Sequence, residues 1–166
     1  MSSFEPQELA RLRDIAELNL GDEVQDPAIQ ALVDRAADEL ALPLAAISIV
    51  LDSAQYFIAS HGLSGWISVS QGTAVEWAFC RNAVTTRQPF VVEDAGDHPV
   101  VRDNPLVQID GIRCYLGIPL ITSKNQPIGT LCVLGTETRK FSEADLDLLE
   151  SLADQVMAEL ERRRTS

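Results

Sequence analysis

Arg113, Tyr115 and Thr130 stand in the most apolar part of the chain, the stretch IRCYLGIPLITSKNQPIGTLCVLG from Ile112 to Gly135. A guanidinium buried without a partner is costly, so Arg113 in such a setting points either to a bound polar molecule or to an ion pair with Asp94 or Glu93. The three cysteines, Cys80, Cys114 and Cys132, are odd in number, far apart and each set among apolar neighbours. That pattern fits reduced core thiols better than a disulfide frame or a zinc knuckle. Asp94, Asp97, His98, Asp103 and Asp110 crowd one acidic segment and could meet around a metal ion, but no recognised metal spacing occurs. Short acidic side chains are also what solvated loops and helix caps use, so no metal site is expected. The run His61-Gly62-Leu63-Ser64-Gly65 misses the Gly-x-Ser-x-Gly spacing of a nucleophile elbow and reads as a hairpin end.

These residues are positioned by a hairpin. Ile112, Cys114, Leu116, Ile118 and Leu120 fall on one side of an extended chain and Arg113, Tyr115, Gly117, Pro119 and Ile121 on the other. Lys124, Asn125 and Gln126 make a polar turn, and Ile128 to Leu134 is a second strand, rich in β-branched residues. Neither limb has a cleanly polar face, so both faces of this sheet must be covered. Upstream, Pro6 starts a helix whose stripe Leu9, Leu12, Ala16, Asn19, with Ile15 and Leu20 alongside, runs to a stop at Gly21. Asp26-Pro27 starts another, with Ile29, Leu32, Val33, Ala36, Ala37 and Leu40 at helical spacing. Leu44 to Leu51 and Gln55 to Ser60 read as a second hairpin. Gly62 to Gly72 is a loop, and Thr73 with Glu76 caps a largely apolar helix to Thr86. Gln88 to Val92 is a short strand, followed from Glu93 to Gly111 by a long acidic loop with at most a turn of helix around Val100 to Asn104. Ser142 caps a last helix that reaches Arg162, Arg163 and Arg164, cations suited to its negative end.

The order helix, helix, two strands, loop, helix, strand, long loop, two strands, helix predicts an α+β domain with a central, mostly antiparallel sheet. Its 166 residues suffice for one core, so residues 1–166 form a single domain, with a core of about 25–160, an N-terminal helix in 1–21 and a C-terminal helix in 142–164. A formal net charge of −12 opposes binding to nucleic acid or to an anionic membrane surface. With no apolar run of membrane-spanning length and no signal-peptide pattern in MSSFEPQEL, a cytoplasmic protein is expected.

Several segments in this order carry a family resemblance: VEWAFCRNAV before PFVVEDAGDHP, then RDNPLV, GIRCYLGIPLI, IGTLCVL and FSEADLDLLESLADQV. Together they resemble the GAF family of sensory domains, over roughly Gln25 to Leu160. The resemblance implies a GAF-like, PAS-related sheet with the terminal helices on one face and an internal helix and loops over a pocket on the other. It does not imply a particular ligand or cofactor, because that fold hosts several kinds of site.

The specialised branches match only in part. Cyclic-nucleotide-binding members carry Asn-Lys, then Phe, then Asp-Glu; here Lys124-Asn125 is reversed, Phe141 is present and Asp145 is followed by Leu146. Bilin-binding members use a cysteine beside a histidine or an Asp-Ile-Pro stretch, whereas Cys80 is followed by Arg81. The free methionine-(R)-sulfoxide reductase branch needs a reachable thiolate and a resolving thiol in loops, and its Gly-Val-Cys-Gly stretch is missing, so the chain is not expected to be an enzyme.

What remains is a cytoplasmic sensor that binds a small molecule, with a domain that only dimerises or docks another protein as the alternative. In a GAF-like arrangement Cys114, Leu116, Ile118 and Leu120 face the terminal helices. Arg113 and Tyr115 then face the cavity, with Trp77 and Cys80 above them, Thr130 or Cys132 on the neighbouring strand, Trp66 nearby and Asp94 at the entrance. Such a cavity suits a small planar or anionic ligand. Homodimerisation is expected through the seam Leu146, Leu149, Ala153, Val156 and Leu160, with Leu9, Leu12 and Ala16 as a matching stripe. The output partner is expected to be a fused module or a signalling protein acting in trans.

Overall fold

The computed structural model describes residues 6–17, 27–50, 55–61, 86–99, 102 and 111–162. Within them α1 (Pro6–Glu17) and α2 (Pro27–Leu40) precede β1 (Leu44–Val50) and β2 (Gln55–His61). Then come β3 (Phe90–Val92), a short 3₁₀ turn (Ala95–Asp97), β4 (Cys114–Ile121), β5 (Pro127–Gly135) and α3 (Glu143–Glu161). The strands form one sheet in the order β2-β1-β5-β4-β3, and every pairing is antiparallel. This is the expected α+β class. The helix expected over Thr73 to Thr86 lies outside the described residues but for Thr86, as do the loop 62–72 and, apart from Arg102, the turn around residues 100–104.

The long hairpin is at the centre of the sheet. β5 pairs with β1 on one side and β4 on the other, and all nine of its residues are buried, so both faces of the sheet are covered along it. Leu116, Ile118 and Leu120 of β4, Ile128, Leu131 and Val133 of β5 and Ala45, Ile47 and Ile49 of β1 make one core with the inner sides of α2 and α3. Apart from Ile128, beside the register shift at Leu120 and Ile121, they alternate along each strand with the period of two that separates the faces of a sheet. On α2 the buried residues are Ile29, Leu32, Val33, Ala36, Ala37 and Leu40, the stripe predicted from helical spacing.

The helix ends follow from local chemistry. α2 stops at Ala41, which takes φ +55° so that Leu42 N can donate to Ala37 O at 3.0 Å and Ala41 N to Asp38 O at 3.2 Å. The guanidinium of Arg139 donates to Leu40 O, placing a cation at the negative end of α2. α3 opens with a reciprocal capping box: Ser142 Oγ accepts from Asp145 N at 3.1 Å, and Asp145 Oδ2 from Ser142 N at 3.0 Å.

Four expectations need correction. Leu149, Ala153, Val156 and Leu160 are at most 4% exposed and belong to the chain's own core, so this seam is not a dimer surface; Leu146 packs half-buried against the same core. The sheet and α2 consume the apolar face of α3, because a period of 3.6 serves a domain core as well as a coiled coil. α1 is rotated from its expected setting: Ile15, Arg11 and Asp14 are buried, Leu12 is half-buried, and Leu9 and Ala16 are exposed. Buried polar partners for Arg11 and Asp14 outweigh the weaker apolar stripe. α3 ends at Glu161, and Arg162, its C-cap residue, pairs with Glu159 at 2.9 Å, while Arg163 and Arg164 lie outside the described residues. Finally, β3 starts at Phe90 rather than Gln88, since only Phe90, Val91 and Val92 find partners on β4, in Gly117, Leu116 and Tyr115.

Candidate functional site

Residues directly opposite one another in an antiparallel ladder share a face, so the register shows what lies on the side of the sheet opposite α2 and α3. One row there is Ala46, Cys132, Gly117 and Phe90; the next is Ser48, Thr130 and Pro119; Leu44, Leu134, Tyr115 and Val92 make a third. Tyr115, Thr130 and Cys132 therefore share a face, as read from the sequence. Trp66, Trp77 and Cys80, which the sequence reading set above them, lie outside the described residues.

Tyr115 is 1% exposed, and its ring leans back along β4 over Gly117. A Cβ at Gly117 would come within 2.8 Å of two ring atoms, so the missing side chain makes room for the phenol. The Tyr115 ring lies 5.8 Å from that of Phe90, and Phe90 in turn lies 5.5 Å from the imidazole of His98, edge to face. Beside this aromatic file Ser48 Oγ and Thr130 Oγ1 are 3.0 Å apart, and both residues are fully buried. Ser48, Phe90 and His98 were not assigned to the site from sequence. The signal for Ser48 was a lone hydroxyl inside the apolar run LAAISIV.

Arg113 is not on an inner strand as expected. It is half-buried one residue before β4, where its amide donates to Gly135 O at 2.8 Å and its carbonyl accepts from Ala95 N at 2.7 Å. Its guanidinium donates to Ile112 O at 3.0 Å. Asp94 is exposed, and it and Arg113 flank Gly96: a Cβ there would lie 3.6 Å from Asp94 Oδ1 and 3.9 Å from Arg113 Nε. Glu93 is engaged elsewhere, accepting from Phe141 N at 2.9 Å. The cation and the carboxylate thus border the β3–β4 edge of the sheet, while the hydroxyl pair lies toward its middle.

Burial raises the pKa of the Cys114 thiol above its ordinary value, and the charge of Arg139 offsets only part of this. Cys114 and Cys132 are both buried, free thiols. Among the described residues no three His, Cys, Asp or Glu side chains converge on a point that could hold a metal ion. Lys124 pairs with Glu17, and Asp145 caps α3 and pairs with Arg139. The turn holding Lys124 meets α3 at Glu161, sixteen residues and about 24 Å of helix beyond Asp145. The half-present cyclic-nucleotide pattern is therefore split between the two ends of α3.

A family model described as the GAF domain matches residues 26–161. The chain belongs to the GAF domain family. Over 165 residues it is 33% identical to a cyclic di-GMP phosphodiesterase of Pseudomonas aeruginosa, covering 98% of this chain and 27% of that protein. The GAF domain thus spans about a quarter of the length of that relative. Among solved structures, the GAF domain of a phosphoenolpyruvate-protein phosphotransferase from Coxiella burnetii superposes with a TM-score of 0.68 at 21% identity, covering 94% of each chain. The type II free methionine-R-sulfoxide reductase of Thermoplasma acidophilum superposes with a TM-score of 0.66 at 14% identity, covering 97% of this chain and 99% of that one. At such identities the likeness is one of fold, and the GAF fold carries sensors and an enzyme alike. None of the helices in the described residues is long and apolar enough to cross a membrane.

Proposed function

We propose that this GAF domain is a sensory and regulatory module of the cytoplasm. It takes a small molecule against the face of its sheet opposite α2 and α3 and passes occupancy to an output unit through its terminal helices. The observation that carries the reading is the alignment of nearly the whole chain, at 33% identity, with a domain-sized quarter of a cyclic di-GMP phosphodiesterase. A regulatory domain inside a larger signalling enzyme accounts for that proportion. The output is then an enzyme that makes or degrades a signalling nucleotide, in the same polypeptide or in a separate protein.

The chemistry of the site supports a binding role rather than catalysis. Tyr115, the Ser48–Thr130 pair and the aromatic file through Phe90 offer a planar, hydrogen-bonding wall, and Arg113 adds a cation at its edge. A small planar or anionic ligand suits that combination. Buried Cys114, with its raised pKa, is a poor nucleophile. Thermal-shift screening with nucleotides, tetrapyrroles and small carboxylates tests the reading, backed by native mass spectrometry for a retained molecule. A true ligand raises the Tm of the wild type by several degrees, and Thr130→Val or Arg113→Ala diminishes the shift. If no compound stabilises the wild type and no molecule is retained, the sensor reading fails.

One observation favours the alternative of a homodimerising or protein-docking domain. Leu9 is 37% exposed on α1, and Ala16 is exposed on the same helix, so a second copy could meet the domain there.

A further inference from the structure

The turn between β4 and β5 is held at four consecutive residues by three different parts of the chain. Thr122 Oγ1 donates to Asp14 of α1. Ser123 donates to the carboxylate of Glu161 in α3, through its amide and its hydroxyl, at 3.0 Å each. Lys124 Nζ pairs with Glu17 of α1 at 2.7 Å. Asn125 O accepts from Arg87 Nη1, ahead of β3, at 2.9 Å.

The turn is itself stiff. Thr122 Oγ1 accepts from Lys124 N and Gln126 N at 3.2 Å each, and Thr122 N and Asn125 N close the loop at 2.9 and 2.8 Å. Asn125 takes φ +62°, a conformation that asparagine tolerates better than most residues.

Glu17 and Glu161 are the last residues of α1 and α3, so the two helices converge at their C-terminal ends on one short loop. The docked side of α1 is partly polar: Arg11 Nη1 donates to Pro127 O at 3.3 Å, and Arg11 and Asp14 are 6% and 2% exposed. Polar contacts of this kind are directional and are lost over small displacements, whereas apolar contacts yield gradually. The hairpin that carries Tyr115, Thr130 and Cys132 runs from Gly117 to this turn over about 17 Å of paired strand.

We propose that the Thr122–Gln126 turn is a mechanical junction, coupling the β4–β5 hairpin to both terminal helices so that the ends of α1 and α3 loosen or tighten together. The inference deepens the sensory reading and rests on it for its purpose: a ligand that shifts the hairpin would move the C-terminal ends of both helices at once.

Amide hydrogen exchange on the 166-residue chain, with no ligand added, tests the coupling. Ser123→Ala weakens the hold on α3, and Lys124→Ala removes the ion pair to α1. A junction makes each variant loosen the helix it does not touch. Ser123→Ala raises exchange in the last turn of α1 by about threefold, and Lys124→Ala does the same in the last turn of α3. Thr122→Val, which deletes the bond to Asp14 and two turn bonds, raises both together by about tenfold. Arg35→Ala, which breaks an exposed ion pair on α2, changes neither. If each variant loosens only its own helix, or neither helix responds, the junction is overturned, and the sensory reading is left to its own ligand test.

Discussion

Ser48 and Thr130 face each other across β1 and β5, fully buried, with their hydroxyl oxygens 3.0 Å apart. The pair sits mid-sheet on the face opposite α2 and α3, where two apolar residues would have cost nothing in hydrogen bonding. Removing one partner leaves a buried hydroxyl with a bond fewer, while removing both leaves an apolar contact. Ser48→Ala and Thr130→Val should each lower stability by about 1 kcal/mol, and the double variant should lose clearly less than their sum. Denaturant titration of the four proteins checks this, and additive losses would show that the two hydroxyls act independently.

The two central glycines of the hairpin should respond differently to a methyl group. At Gly129 a Cβ would run into the backbone of Ser48 and come within 2.9 Å of Ile49 Cα, and neither can move without parting β1 from β5. At Gly117 it would meet a side chain, the ring of Tyr115, rather than backbone. Gly129→Ala should cost about 3 kcal/mol or prevent folding, whereas Gly117→Ala costs about 1 kcal/mol and alters tyrosine fluorescence. Equal losses at the two positions would contradict this account.

Substitutions on α3 and α1 separate core from surface. Leu149→Asp buries a carboxylate at a position 0% exposed, so the chain should fail to fold cooperatively. Leu9→Asp, at a position 37% exposed, should leave the melting temperature nearly unchanged. Analytical ultracentrifugation of the same variant tests the outer face of α1, because any dimer formed there should dissociate when Leu9 becomes charged.

Bonds to Ser142 and the charge of Arg139 hold the carboxylate of Asp145 below its usual pKa. Its ionised form is favoured in the folded state, so its stabilisation is complete above the unfolded value of about 3.9 and fades as pH falls through the lower folded value. Asp145→Asn should therefore narrow the stability gap to wild type as pH falls below about 4. Ser142→Ala removes the other half of the capping box and should cost about 1 kcal/mol at neutral pH. A pH-independent gap for Asp145→Asn would locate its effect elsewhere.

Cys114 and Cys132 are 0% and 2% exposed, and burial raises the pKa of Cys114. In native protein at pH 8 both should react with a thiol reagent at least about a hundredfold more slowly than after unfolding, as read by mass mapping. Fast labelling of either thiol would reopen a redox role for it.

Alternation and spacing alone determined the two hairpins, the apolar face of α2 and the cap at Ser142, while the family resemblance set Tyr115 on one face with Thr130 or Cys132. The hairpins, the helix face and the cap depend on local periodicity and backbone geometry, which a sequence carries in full. Tertiary structure decided what each face meets. The seam of α3 has the same spacing whether it packs on a sheet or on a second helix, and only the fold shows Leu149 and Val156 under their own sheet. No local pattern marked Arg11 and Asp14 for burial, because their partners Pro127 and Thr122 lie more than a hundred positions away. Lys124, Asn125 and Gln126 read as a plain polar turn for the same reason. Its hold on α1 and α3 comes from side chains that only chain folding brings within hydrogen-bond reach, and no local pattern encodes such distances.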